Sequence, residues 1–141
     1  MADFVQVSRL AQAPLVPEQW QIEFLDAPHR APKRLPSGKI AIYGFWGNNA
    51  WLKIGLAGAK TKARYTSQHY NPGSARSTLA ASLTKCPDMQ TVSGFDSGRP
   101  GDWIKGSCHR VNILLDAKVG RPLLALLEAF LHVRLNPRHE R

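Results

Sequence analysis

The segment Lys39-Ile40-Ala41-Ile42-Tyr43-Gly44-Phe45-Trp46-Gly47-Asn48-Asn49-Ala50-Trp51-Leu52-Lys53-Ile54-Gly55-Leu56 decides the fold. Two strand-like apolar runs flank Gly47-Asn48-Asn49, and Gly and Asn tolerate the positive φ that tight hairpin turns need. The segment therefore reads as two antiparallel strands around Asn48. With the turn symmetric about Asn48, Tyr43 faces Lys53. Directly opposed residues have Cβ atoms roughly 4.5–5.5 Å apart, close enough for an ammonium to lower the pKa of a phenol. A half-buried tyrosine beside a solvated surface lysine fits the same pattern, and the hairpin alone leaves both readings open.

The 141 residues, 43% hydrophobic, suit one domain with a single core and a small terminal extension. No apolar run approaches the ~20 residues of a membrane span, and no basic segment followed by an apolar signal core opens the chain. A soluble, cytoplasmic protein with no membrane partner is the expectation. Nineteen Lys and Arg against ten Asp and Glu give +9 and a pI near 10.1. That balance favours a polyanionic partner, nucleic acid first, through phosphate neutralisation and counterion release. Cys86 and Cys108 are the two cysteines, and no paired C-x-x-C ligands surround them. Two thiols in a reducing compartment are expected in place of a disulfide or a zinc site.

Outward from the hairpin, residues 1–38 read as an extension. Pro17-Glu18-Gln19-Trp20 starts a short helix with Trp20 and Phe24 at i and i+4, before Pro28, Pro32 and Pro36 break regular structure. Arg30, Lys33, Arg34 and Lys39 make the tail of this extension a basic, Pro-rich linker. Beyond the hairpin, Gly58 to Tyr70 reads as a helix ended by Asn71-Pro72-Gly73, and Ser74 to Lys85 as a second. Residues 86–106 carry Pro87, Gly94, Gly98, Pro100, Gly101 and Gly106 and read mostly as loop. Arg110 to Leu115 reads as a third strand, and Pro122 opens an apolar helix lasting to Asn136-Pro137. The expected class is α+β: a small three-stranded antiparallel sheet flanked by helices, in the order β-β-α-α-β-α, over residues 39–141.

Between Leu123 and Leu135 the single acidic residue is Glu128. It shares a 3-4-3 stripe with Arg121, Ala125 and His132, which suits the solvent face of an amphipathic helix. It equally suits a groove in which one carboxylate holds Mg²⁺ while waters and a substrate phosphate complete the octahedron. Asn136 either supports such a site or ends the helix as a cap.

Tyr43 in Ile42-Tyr43-Gly44, Lys53-Ile54-Gly55, Arg64 in the next helix, Glu128 in a late helix and Asn136 after it occur in the order used by the GIY-YIG nucleases. From Lys39 to Asn136 the chain resembles that family, and Arg64 to Ala80 is similar to a bacterial branch of it. The resemblance implies a small antiparallel sheet flanked by helices and cleavage of nucleic-acid phosphodiesters, DNA before RNA, with Mg²⁺ or Mn²⁺. It implies Tyr43 as general base or nucleophile-orienting phenol, Arg64 as the cation on the scissile phosphate, Glu128 as metal ligand and Asn136 in support. Arg64, Gln68, Tyr70, Arg76 and Lys105 are the expected nucleic-acid contacts. Two positions depart from the pattern. Lys53 stands where the family has tyrosine. Many relatives place a histidine four residues after the arginine, whereas here that position is Gln68 and the catalytic candidate is His69, about 140° round a regular helix from Arg64.

The expected mechanism is in-line attack by water, with Tyr43, made more acidic by Lys53, taking the proton while Arg64 and a metal on Glu128 stabilise the transition state. The alternative is a non-catalytic module that binds single strands by charge and by exposed Trp46, Trp51 and Tyr70. With the chain ending at Arg141, no appended recognition domain is expected, and specificity would come from residues 86–106, the first 38 residues or a partner.

Overall fold

Asn48 and Asn49 both adopt positive φ, 50° and 58°, and form a two-residue turn that pairs Gly47 with Ala50. This turn joins β2 (Lys39–Gly47) to β3 (Ala50–Ala57). The structure, a computed structural model, describes residues 1–75 and 77–140.

The turn is centred between Asn48 and Asn49, and the register shifts between Phe45 and Trp46. Trp46 pairs with Trp51, but Phe45 pairs with Lys53 and Tyr43 with Gly55. The expected opposition of Tyr43 and Lys53 is thus displaced by one pair. The bulge takes up the extra residue, so the two side chains share a face as diagonal neighbours.

The class is α+β as expected, but among the described residues the sheet has four antiparallel strands, in the order β1 (Trp20–Leu25), β4 (His109–Asp116), β2, β3. The added strand is β1, which pairs with β4. This segment reads as a helix if only Trp20 and Phe24 are weighed. Ile22 lies between them, and period-2 alternation with Gln21 and Glu23 prevails once β4 offers an edge. Pro17–Gln19 makes only a single 3₁₀ turn.

Among the described residues five α-helices flank the sheet. α1 (Ala2–Leu10) and α5 (Arg121–Leu135) cover the face bearing Ile40, Ile42, Ile54, Leu56, Ile113 and Leu115. On the other face, Ala41, Tyr43, Phe45 and Leu114 pack against α2 (Lys62–Thr66), α3 (Leu79–Lys85) and α4 (Pro100–Ser107). The expected long helix 58–70 is α2 followed by a 3₁₀ turn at Gln68–Tyr70, and the helix expected from Ser74 starts at Leu79, after Thr78 caps it. Residues 86–106 are more ordered than expected, with a 3₁₀ turn at Pro87–Thr91 and α4, whose Pro100 sits at the helix start where proline fits. Among the described residues no helix is long and apolar enough to cross a membrane.

Candidate active site

β3 is an edge strand of the sheet, so groups from either face can meet around it. A cleft of about 180 Å³ lies there, lined by Tyr43, Lys53, Gly55, Arg64, Gln68, His69, Glu128 and Glu140 among others. Five separate elements supply the predicted groups: β2 carries Tyr43, β3 Lys53, α2 Arg64, the 3₁₀ turn His69 and α5 Glu128.

Gly55 makes room for Tyr43. A Cβ built there would lie 2.7 Å from Tyr43 Cζ and closer still to its hydroxyl, so the phenol lies directly across the glycine. This gives the glycine of Lys53-Ile54-Gly55 a steric function.

The Tyr43 hydroxyl lies 2.6 Å from His69 Nε2. His69 Nδ1 accepts the Leu79 N–H at 3.1 Å. That N–H is one of the donors which the first turn of a helix leaves unpaired. An accepting Nδ1 leaves the proton of the neutral ring on Nε2, so His69 donates to the phenol oxygen. Tyr43 therefore keeps its own proton free to point elsewhere. Burial, helped by the charges of Lys53, Arg110 and Arg64, brings the His69 pKa down to about 3 and keeps the ring neutral.

Burial raises the pKa of Tyr43, while Arg64 and Arg110 oppose that rise. The expected effect of Lys53 on the phenol is replaced by these two guanidiniums. Lys53 is itself buried, at 6% exposure, and its ammonium donates to the His139 carbonyl at 3.2 Å. Burial lowers its pKa and Glu140 counteracts this. Burial raises the pKa of Glu128, His132 lowers it and Glu140 raises it further.

Other predicted residues fall differently. Arg64 is exposed and Gln68 half-buried at the cleft. Tyr70 is buried, its hydroxyl held by His29 and Arg110, so it presents no exposed ring. Lys105 lies over the Tyr70 ring and lines a different hollow with Asn71 and Arg99. Asn136 closes α5 in a left-handed conformation, φ 45°, and lines the neighbouring groove in place of the cleft. Arg76 lies outside the described residues.

Two groups near the site carried no motif. Arg110 is fully buried, donating to Asn112 Oδ1, the Tyr70 hydroxyl and the Tyr65 carbonyl at 2.8, 3.0 and 2.5 Å. Its guanidinium lies 4.9–6.0 Å from the ring centroids of Tyr65, Phe45, Tyr43 and Tyr70. Among the described residues it makes no ion pair. The available signal was Arg110-x-Asn112, two polar residues at period 2 in an apolar strand. The second group is Glu140. Beyond α5 the tail folds along β3, with Arg138 N–H donating to Trp51 O and His139 N–H to Leu52 O. Glu140 then takes the Ile54 N–H on Oε1 at 2.7 Å, and its Oε2 lies 3.3 Å from His132 Nε2.

No family model, no curated protein and no solved structure matches the chain significantly. Among the described residues no group of three or more His, Cys, Asp or Glu converges to hold a metal. Glu128 and Glu140 nevertheless both line the cleft. Mg²⁺ is commonly held by one or two carboxylates, with waters and substrate phosphate oxygens completing its shell, so the donor set fits that mode.

Proposed function

We propose that the chain is a divalent-metal-dependent endonuclease of GIY-YIG type that hydrolyses phosphodiester bonds of DNA. The observation that supports this is the convergence of Tyr43, Lys53, Arg64, His69 and Glu128, from five elements, on one cleft. A phenol, two cations and a carboxylate together match the needs of phosphoryl transfer: a proton acceptor, compensation of developing negative charge and a metal ligand.

In this reading Arg64 binds the scissile phosphate from its exposed position at the cleft. Tyr43 first gives its own hydroxyl proton to solvent; the phenolate, stabilised by the His69 Nε2–H donor and by the Arg64 and Arg110 charges, then orients the attacking water and takes its proton, which returns it to the phenol. Mg²⁺ or Mn²⁺, held by Glu128, would supply Lewis-acid charge neutralisation for the phosphoryl oxygens. Lys53 is anchored by the tail carbonyl and adds positive charge to the cleft wall.

A single-strand-binding module without catalysis would require a platform of exposed rings. Of the three rings expected to form that platform, Tyr70 is buried and Trp46 and Trp51 are half-buried, packed edge to face at 5.7 Å, which weighs against that alternative. The test is cleavage of labelled single- and double-stranded DNA by the wild type and Glu128→Ala, with Mg²⁺ or with EDTA. The expected result is metal-dependent cutting by the wild type that is lost in the variant. Salt-sensitive binding with no cutting in any metal would replace the nuclease by a binding module, and undiminished cutting by Glu128→Ala would remove the metal assignment.

A further inference from the structure

Beside the catalytic cleft, and sharing Glu140 with it, runs a second depression of about 540 Å³ between α3 and the C-terminal tail. Lys85, Arg138, His132 and His139 line it. Lys85 and Arg138 are exposed and form no ion pair among the described residues. The one carboxylate lining the depression, Glu140, is already engaged by the Ile54 N–H and lies against His132. Two unpaired positive side chains, Lys85 and Arg138, thus line the open space against the single carboxylate of Glu140.

The tail's attachment makes this wall a defined surface. Arg138 and His139 are held by their own backbone N–H groups on the β3 carbonyls, at 3.0 and 2.7 Å, which fixes where their side chains emerge. On the opposite wall, α3 begins at the catalytic cleft, where Thr78 lines it, and ends at Lys85 in the depression. Its seven residues span roughly 10 Å at a helical rise of about 1.5 Å per residue. A nucleic-acid strand rising ~3.4 Å per nucleotide covers that length in about three nucleotides.

We propose that this groove is the path of the substrate strand on one side of the scissile phosphate. Lys85 and Arg138 bind the phosphates about two to three nucleotides away from the point of cleavage. The proposal rests on the nuclease reading and extends it. The contacts are to phosphate, so they set register and carry no base preference.

The test is fluorescence anisotropy of a labelled single-stranded DNA and the matching duplex, in EDTA so that nothing is cut, as salt rises from about 50 to about 200 mM. The wild type is compared with Lys85→Ala/Arg138→Ala and with a control of equal charge change, Arg9→Ala/Lys118→Ala, both positions exposed and away from either depression. Each lost phosphate contact lowers the log–log salt slope by about 0.7 for a single strand or about 0.9 for a duplex. The groove variant is expected to lose roughly 1.4–1.8 in slope, and the control to keep the wild-type slope. A groove variant with the wild-type slope, or an equal drop in the control, overturns the groove while leaving the nuclease reading intact. Absence of salt-dependent wild-type binding to either probe overturns the nucleic-acid reading itself, and the groove with it.

Discussion

His69 donates a hydrogen bond from Nε2 to the phenol oxygen of Tyr43 across 2.6 Å, and the Leu79 N–H on its other nitrogen fixes that direction. A histidine thus holds a tyrosine from behind, its proton donated to the oxygen that becomes negative in the proposed mechanism. Tyr43→Phe removes the acceptor and leaves a buried N–H unpaired. The expected cost is about 1–3 kcal/mol of stability, together with a loss of cleavage on the order of 100-fold or more. Urea unfolding and single-turnover cleavage check the two parts separately.

Gly55→Ala places a methyl where the Tyr43 ring lies. The backbone there is strand, so the penalty is steric. Overpacking of this kind costs about 1–3 kcal/mol, and displacement of the phenol should abolish cutting although no catalytic group has been removed. Wild-type stability and activity in Gly55→Ala would contradict the placement of Tyr43.

Proton linkage at His69 has a definite sign. Its folded pKa lies at about 3 against 6.5 for an unperturbed histidine. Between these values the unfolded chain binds a proton that the folded chain does not, so stability falls as pH drops through 6.5 and levels off below about 3. One such proton contributes a slope of about 1.4 kcal/mol per pH unit. His29 and His139 also have lowered values, so the informative quantity is a difference. The wild type should lose more stability than His69→Gln on moving from about pH 7 to about pH 4, measured by urea midpoints. Equal losses would show that His69 is protonated in the fold.

Arg64 separates stability from chemistry. It is exposed, so Arg64→Ala should change unfolding free energy by no more than about 0.5 kcal/mol. Loss of its charge on the phosphate should nevertheless reduce cleavage by about 100-fold or more. Parallel melting curves and cleavage rates test the separation.

Arg110 is the reverse case. Arg110→Met leaves the Tyr65 carbonyl and Asn112 Oδ1 without their donor in a buried setting. Each orphaned group costs about 1–3 kcal/mol, so a marked fall in urea midpoint is expected. Arg110→Lys keeps the charge but cannot reproduce three donors in one plane, and should recover only part of it.

The local pattern of the chain was enough to determine the hairpin, β4, α5 and the α+β class, because turn residues and apolar periodicity act over a few neighbours. Glu128 stood out for a similar reason, as one carboxylate in an apolar helix. Tertiary structure decided what those signals leave degenerate. Trp20 and Phe24 satisfy both a helical and a strand period, and the free edge of β4 selected the strand. The two-residue turn at Asn48-Asn49 and the bulge beside Trp46 each shifted the register by one residue and together moved Tyr43 from Lys53 to Gly55, since register depends on where the extra residue is placed and not on composition. The partners His69 for Tyr43, Glu140 for the β3 edge and the aromatic surround of Arg110 are separated by 26 or more residues in the chain. Such contacts form because buried polar groups must find partners wherever the fold brings them, a requirement with no spacing to read in advance.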